Sequence, residues 1–83
     1  MTYAEIITDS IRECQTRNEL EIGKWISDRF TTEGYPHLHC LGIFNGGENR
    51  FEGVLMDGLN MNNGPLLRWI YDWDTDELEV LEN

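Results

Sequence analysis

The chain is short of positive charge. Six lysines and arginines face sixteen aspartates and glutamates, which leaves a formal charge of −10. Binding to a phosphate backbone needs clustered Lys and Arg, so direct contact with nucleic acid is not expected. An anionic membrane surface is disfavoured for the same reason. Cysteine is scarce too: Cys14 and Cys40 fall in no close pair, and two isolated cysteines fit free, buried thiols in a reducing compartment. No apolar run approaches the length of a membrane span. Glu5 and Asp9 stand where a secretion signal would carry basic residues and an apolar run, so a cytoplasmic protein is expected. The glycines make neither a GxGxxG nor a Walker motif: Gly46-Gly47 and Gly53 have no following lysine. There is no internal repeat, low-complexity tract or linker.

What remains is material for one small domain over residues 1–83. An apolar fraction of 40% suffices for a core. So short a chain buries little surface, and a homodimer or another partner would add to it. The first third reads as two helices. Thr2 and Glu5 form a capping box, followed by Tyr3, Ile6, Ile7, Ile11 and Cys14 along one helical face. A second box, Asn18 with Glu21 or Thr16 with Glu19, marks a restart near residue 17. Ile22, Trp25, Ile26 and Phe30 form the next stripe, with Trp25 expected in the core. Thr31-Thr32-Glu33-Gly34 ends it, Gly34 being suited to the left-handed cap and Pro36 barring continuation.

The rest reads as strands. Tyr35 to Phe44 is β-rich, Asn45 to Asn49 is a turn cluster, and Arg50 to Met56 returns as a hairpin arm. Asp57 to Gly64 is a loop with Leu59 and Met61 at its tip, offered as a second contact. Leu66 to Trp73 alternates strictly, Leu67, Trp69, Tyr71 and Trp73 facing one way and Leu66, Arg68, Ile70 and Asp72 the other. Asp74 to Glu77 turns, and Leu78 to Leu81 pairs back. The expected class is α+β, with two helices on one face of a four-stranded antiparallel sheet.

The densest signal is the stretch from Trp69 to Glu82, with six carboxylates and no basic residue. Such charge opposes folding and is most readily explained by a basic counterpart. In an extended segment Asp72, Asp74 and Asp76 point one way about 6.8 Å apart, a spacing comparable with that of phosphates along a strand. The expected partner-binding residues are Tyr71, Asp72, Trp73, Asp74, Asp76, Glu77 and Glu79, with Trp73 as an exposed aromatic anchor in a carboxylate rim. Glu5, Asp9 and Glu13 form a second acidic row on the first helix, balanced in part by Arg12 and Arg17.

The same residues test other chemistry. Asp72-x-Asp74-x-Asp76 opens like an EF-hand loop, but Glu77 stands at the glycine position and Asn83 at the bidentate glutamate. His37, His39 and Cys40 are the one cluster of metal-ligand types, and no second cluster completes a zinc site. No cofactor is implied. The leading expectation is a non-enzymatic inhibitor that occupies a basic, often nucleic-acid-binding, surface of another protein. A structural or adaptor subunit of a hetero-complex is the second, and a small metal- or thiol-dependent enzyme using His37, His39 and Cys40 the third. In size and charge the chain resembles small phage-encoded inhibitors, including anti-CRISPR and anti-restriction proteins, and bacteriocin immunity proteins.

Overall fold

The computed structural model describes residues 2–14, 18–47, 49–60, 62 and 64–82, apart from the side chains of 42–47 and 82. Helix α1 runs Tyr3–Glu13 and α2 runs Glu19–Thr32. The strands are β1 Leu38–Gly47, β2 Arg50–Asp57, β3 Leu67–Asp72 and β4 Glu77–Glu82. They form one antiparallel sheet in the order β1-β2-β3-β4.

Both helices begin where the capping chemistry places them. The Thr2 hydroxyl accepts from the Glu5 N–H, and the Glu5 carboxylate accepts from the Thr2 N–H, each at 3.2 Å. These two bonds satisfy N–H groups that a helix start leaves without partners. The Thr2 backbone N–H, and after it the Thr2 hydroxyl, hold the Glu5 carboxyl below its ordinary value. Asn18 caps α2 by accepting from the Glu21 N–H at 3.1 Å; Thr16 lies outside the described residues. After α2, Gly34 takes φ +97°, the left-handed conformation glycine adopts without strain.

The helices lay their apolar stripes on one face of the sheet. Ile6, Ile7 and Ile11 of α1 meet Ile22, Ile26 and Phe30 of α2. Below them lie Leu38, Cys40, Phe51, Leu55, Leu67, Trp69 and Tyr71. Each large apolar side chain removed from water in this way stabilises the fold by about 1.5–3 kcal/mol before entropy is counted. Tyr3, Phe30 and Tyr35 stack edge to face at one end, with centroids 5.3–6.2 Å apart. Arg29 of α2 ties the helices together, reaching Glu13 at 2.8 Å and Asp9 at 3.9 Å.

Three expectations need correction. Trp25 is 41% exposed; it sits at the margin of the α2 stripe, where a side chain that large overhangs the core. The turn expected at Asn45–Asn49 is shorter, because β1 runs on to Gly47. Two bulges allow this: Leu41 to Phe44 spans three steps against two on β2, and Asn45 to Gly47 spans two against one. The acidic row of α1 is balanced differently from expectation. Arg29 serves Asp9 and Glu13, and Arg12 leaves the row altogether, as described below. Arg17 lies outside the described residues.

Candidate functional site: the acidic side at the sheet edge

The β3–β4 hairpin is built from its own aspartates. The chain reverses over 73–76, between Asp72 at the end of β3 and Glu77 at the start of β4. Asp72 Oδ1 accepts from the Asp74 N–H at 2.9 Å, an Asx turn. Asp74 Oδ1 accepts from Asn49 Nδ2 at 3.1 Å, and the Trp73 N–H donates to the Asn49 carbonyl at 2.8 Å. These bonds join the turn to the neighbouring β1–β2 turn. Asp76 takes φ +57°, and its carboxylate accepts from the Tyr71 hydroxyl and from Arg12 of α1. The Arg12–Asp76 ion pair measures 3.0 Å.

The phosphate-like row of Asp72, Asp74 and Asp76 therefore does not form. Short acidic side chains compete for nearby backbone N–H groups and stabilise turns over extended chain. Here each of the three is engaged by a neighbour. Asp72 also lies 3.7 Å from Arg50 across the sheet. Tyr71 and Trp73 do not form the expected surface anchor either. Tyr71 is buried, and Trp73 is half-buried against the core. The Trp73 ring packs edge to face on Tyr71 at 5.1 Å and on Phe51 at 5.9 Å. Trp73 keeps the face that the β3 alternation gives it, the one Tyr71 occupies, and that face is the core side.

Glu77 and Glu79 remain. Both project from β4, the last strand of the sheet, and among the described residues neither takes part in an ion pair. Arg68, opposite Leu81 and two register positions from Glu79, forms no ion pair with either among the described residues. Helix α1 lies alongside. A cleft of about 460 Å³ runs between it and β4, lined by Glu5, Thr8, Asp9, Arg12, Asp76 and Glu77. Glu5 and Asp9 of the first helix thus share a cleft with Asp76 and Glu77, whereas Asp72 and Glu79 belong to the opposite face of the sheet. The Arg12–Asp76 pair, formed by residues 64 apart in sequence, joins the helix to the hairpin.

The opposite face of the sheet has no helix on it. Cross-strand register sets Leu41, Val54, Arg68 and Leu81 in one row, and Glu52, Ile70 and Glu79 in the next. Leu41 and Leu81 are 47% and 42% exposed. A cleft of about 320 Å³ there is lined by Glu52, Val54, Arg68, Ile70 and Leu81 among others. The sequence carried a signal for this face: the second half of the β3 alternation contains Leu66 and Ile70, apolar residues on what would otherwise be a polar surface.

His37, His39 and Cys40 do not converge. His39 is exposed, whereas Cys40 turns inward and is buried. The His39 ring lies over Gly58, whose N–H donates to the His37 carbonyl at 2.7 Å. Burial pushes the Cys40 thiol up to about 12, with the Trp69 indole N–H pulling weakly the other way. That N–H falls short of hydrogen-bond geometry with any described acceptor. A thiol so placed is protonated at neutral pH and is a poor nucleophile. Among the described residues no group of three or more His, Cys, Asp and Glu is arranged to hold a metal ion, and no helix is long and apolar enough to cross a membrane. Met61, expected at the tip of the second contact loop, lies outside the described residues; Leu59 there is largely exposed. Compared with protein-family models, curated proteins and solved structures, the chain finds no match.

Proposed function

We propose that this protein is a small, non-catalytic inhibitor or modulator that binds a basic surface of a partner protein, such as a nucleic-acid-binding groove. The observation that supports this most is the grouping of Glu5, Asp9 and Glu77 around the α1–β4 cleft, with Glu79 next to it on the open face of the sheet and no described cation paired to Glu77 or Glu79. Carboxylates held on a rigid helix and a strand keep their geometry, so little ordering is needed on binding. Their field would steer a cationic partner inward and set its orientation, and apolar contact on the adjoining sheet face would add affinity. The mechanism is competitive occupancy.

Capture from a cell lysate tests the reading. The immobilised protein should retain a basic protein at about 50 mM salt and release it at about 500 mM, where exposed charges are screened. A Glu77→Gln/Glu79→Gln variant should lose that protein at both salts. Retention by the variant of everything the native protein retains would refute the proposal.

The uncovered apolar row of Leu41, Val54 and Leu81, with Ile70 beside it, favours a second reading, an adaptor domain in a hetero-complex. That reading requires association nearly independent of salt and abolished by Ile70→Asp.

A further inference from the structure

The two margins of the sheet are treated differently. At the β1 margin the Cys40 N–H donates to the Ser27 hydroxyl of α2 at 3.1 Å, and the Leu38 N–H donates to the Tyr35 carbonyl at 3.1 Å. These groups point away from β2 and are already satisfied. At the β4 margin, alternate residues turn N–H and C=O groups outward. Among the described hydrogen bonds none reaches the outer side of residues 77–82; the last contact before the strand is Arg12 Nη2 on the Asp76 carbonyl at 3.2 Å. Beside this free margin runs the cleft beneath α1, lined by Glu5, Thr8, Asp9 and Glu77. A strand edge flanked by a helix is the arrangement in which extended peptides add to a sheet.

We propose that β4 accepts an extended, lysine- or arginine-rich segment of a partner protein as a fifth strand, seated between β4 and α1. This rests on the reading of the protein as a binder of basic surfaces and specifies how the partner is held. Charge selects the occupant. A guest strand would place alternate side chains beside Glu77 and Glu79 on one face and beneath Glu5 and Asp9 on the other, so cations are favoured on both. β4 itself carries no cation. A second copy of the chain is a poor guest, because its β4 brings Glu77, Glu79 and Glu82 and no cation to an edge that is already acidic, and in the register centred on Glu79 like charges are directly opposed. The six residues of β4 offer a ladder about 20 Å long.

The probe is a fluorescent peptide of about eight residues alternating arginine and valine, long enough to span the strand. Two further peptides carry N-methyl groups on one or the other alternate set of residues. Anisotropy titration should give saturable binding by the unmodified peptide, weakened about tenfold by E77Q/E79Q at an unchanged urea midpoint. One of the two methylated peptides should bind at least about tenfold more weakly, since methylation removes donors and crowds the edge, while the other binds normally. Amide exchange of alternate residues in 77–82 should slow in the complex. Equal binding by all three peptides would mean diffuse attraction and would overturn strand addition, as would no binding by any. If lysate capture through Glu77 and Glu79 persists while the peptides fail, strand addition falls and the binding function stands. If both fail, both fall.

Discussion

Asp76 joins the acidic hairpin to the first helix, and its replacement has an ordered set of outcomes. Its carboxylate meets Arg12 at 3.0 Å and accepts from the Tyr71 hydroxyl, on a left-handed backbone with φ +57°. The Arg12 and Asp76 side chains are 50% and 53% exposed, so their charge–charge attraction contributes only about 0.2–1 kcal/mol. Leaving the Tyr71 hydroxyl without its acceptor costs about 1 kcal/mol. A left-handed residue with an apolar Cβ adds about 1 kcal/mol relative to glycine. Asp76→Asn keeps the acceptor oxygen and tolerates the backbone, and should lose under about 1 kcal/mol. Asp76→Ala loses the ion pair and the acceptor and sits in the left-handed region a few tenths of a kcal/mol less well than aspartate, about 1.5–2.5 kcal/mol in total, or a fall in Tm of roughly 6–20 °C for a domain this size. Asp76→Gly should fall between them. Urea unfolding at constant m-value, followed by tryptophan fluorescence, gives the three midpoints. Equal midpoints for Asn and Ala, or an Ala variant within about 0.5 kcal/mol of the native protein, would refute the assignment of Asp76 as the tie between hairpin and helix.

Three further outcomes follow from the β1 margin. Ser27→Ala should destabilise by about 1–2 kcal/mol, because the partly buried Cys40 N–H loses its acceptor; urea midpoints measure this, and protection of that N–H from exchange should fall with it. Native Cys40 should resist alkylation at pH 8 and react once the chain is unfolded in urea. Its raised pKa also gives a sign to alkaline stability: the folded state holds the proton more tightly, so this contribution is intact below about 9 and declines as pH rises toward 12. A Cys40→Ala variant should show a shallower decline between those values when midpoints are measured across that range.

The helices and the sheet were legible because their signals are local and redundant. Thr2 with Glu5 and Asn18 with Glu21 mark starts that the apolar periodicity marks independently, and Gly34 marks a stop. The alternation from Leu67 to Tyr71 fixed the buried face of β3 without knowledge of its neighbours. The site was legible only in part. Aspartates at 72, 74 and 76 have the composition both of a binding row and of a turn, and only the hydrogen bonds from Asn49, Tyr71 and Arg12 separate the two. Asn49 and Arg12 are remote in sequence. The bulges of β1 escaped notice because Asn45-Gly46-Gly47 carries a turn composition that a bulged strand also tolerates. Trp25 shares the periodicity of its buried neighbours, and periodicity alone does not say where a stripe ends.

The stoppered margin at Leu38 and Cys40 limits how this protein can assemble. Fibrous stacking requires that each unit offer two open sides, one to receive and one to extend. At Leu38 and Cys40 the N–H groups that such an extension would need are already engaged, so the start of β1 offers no donor to a further strand.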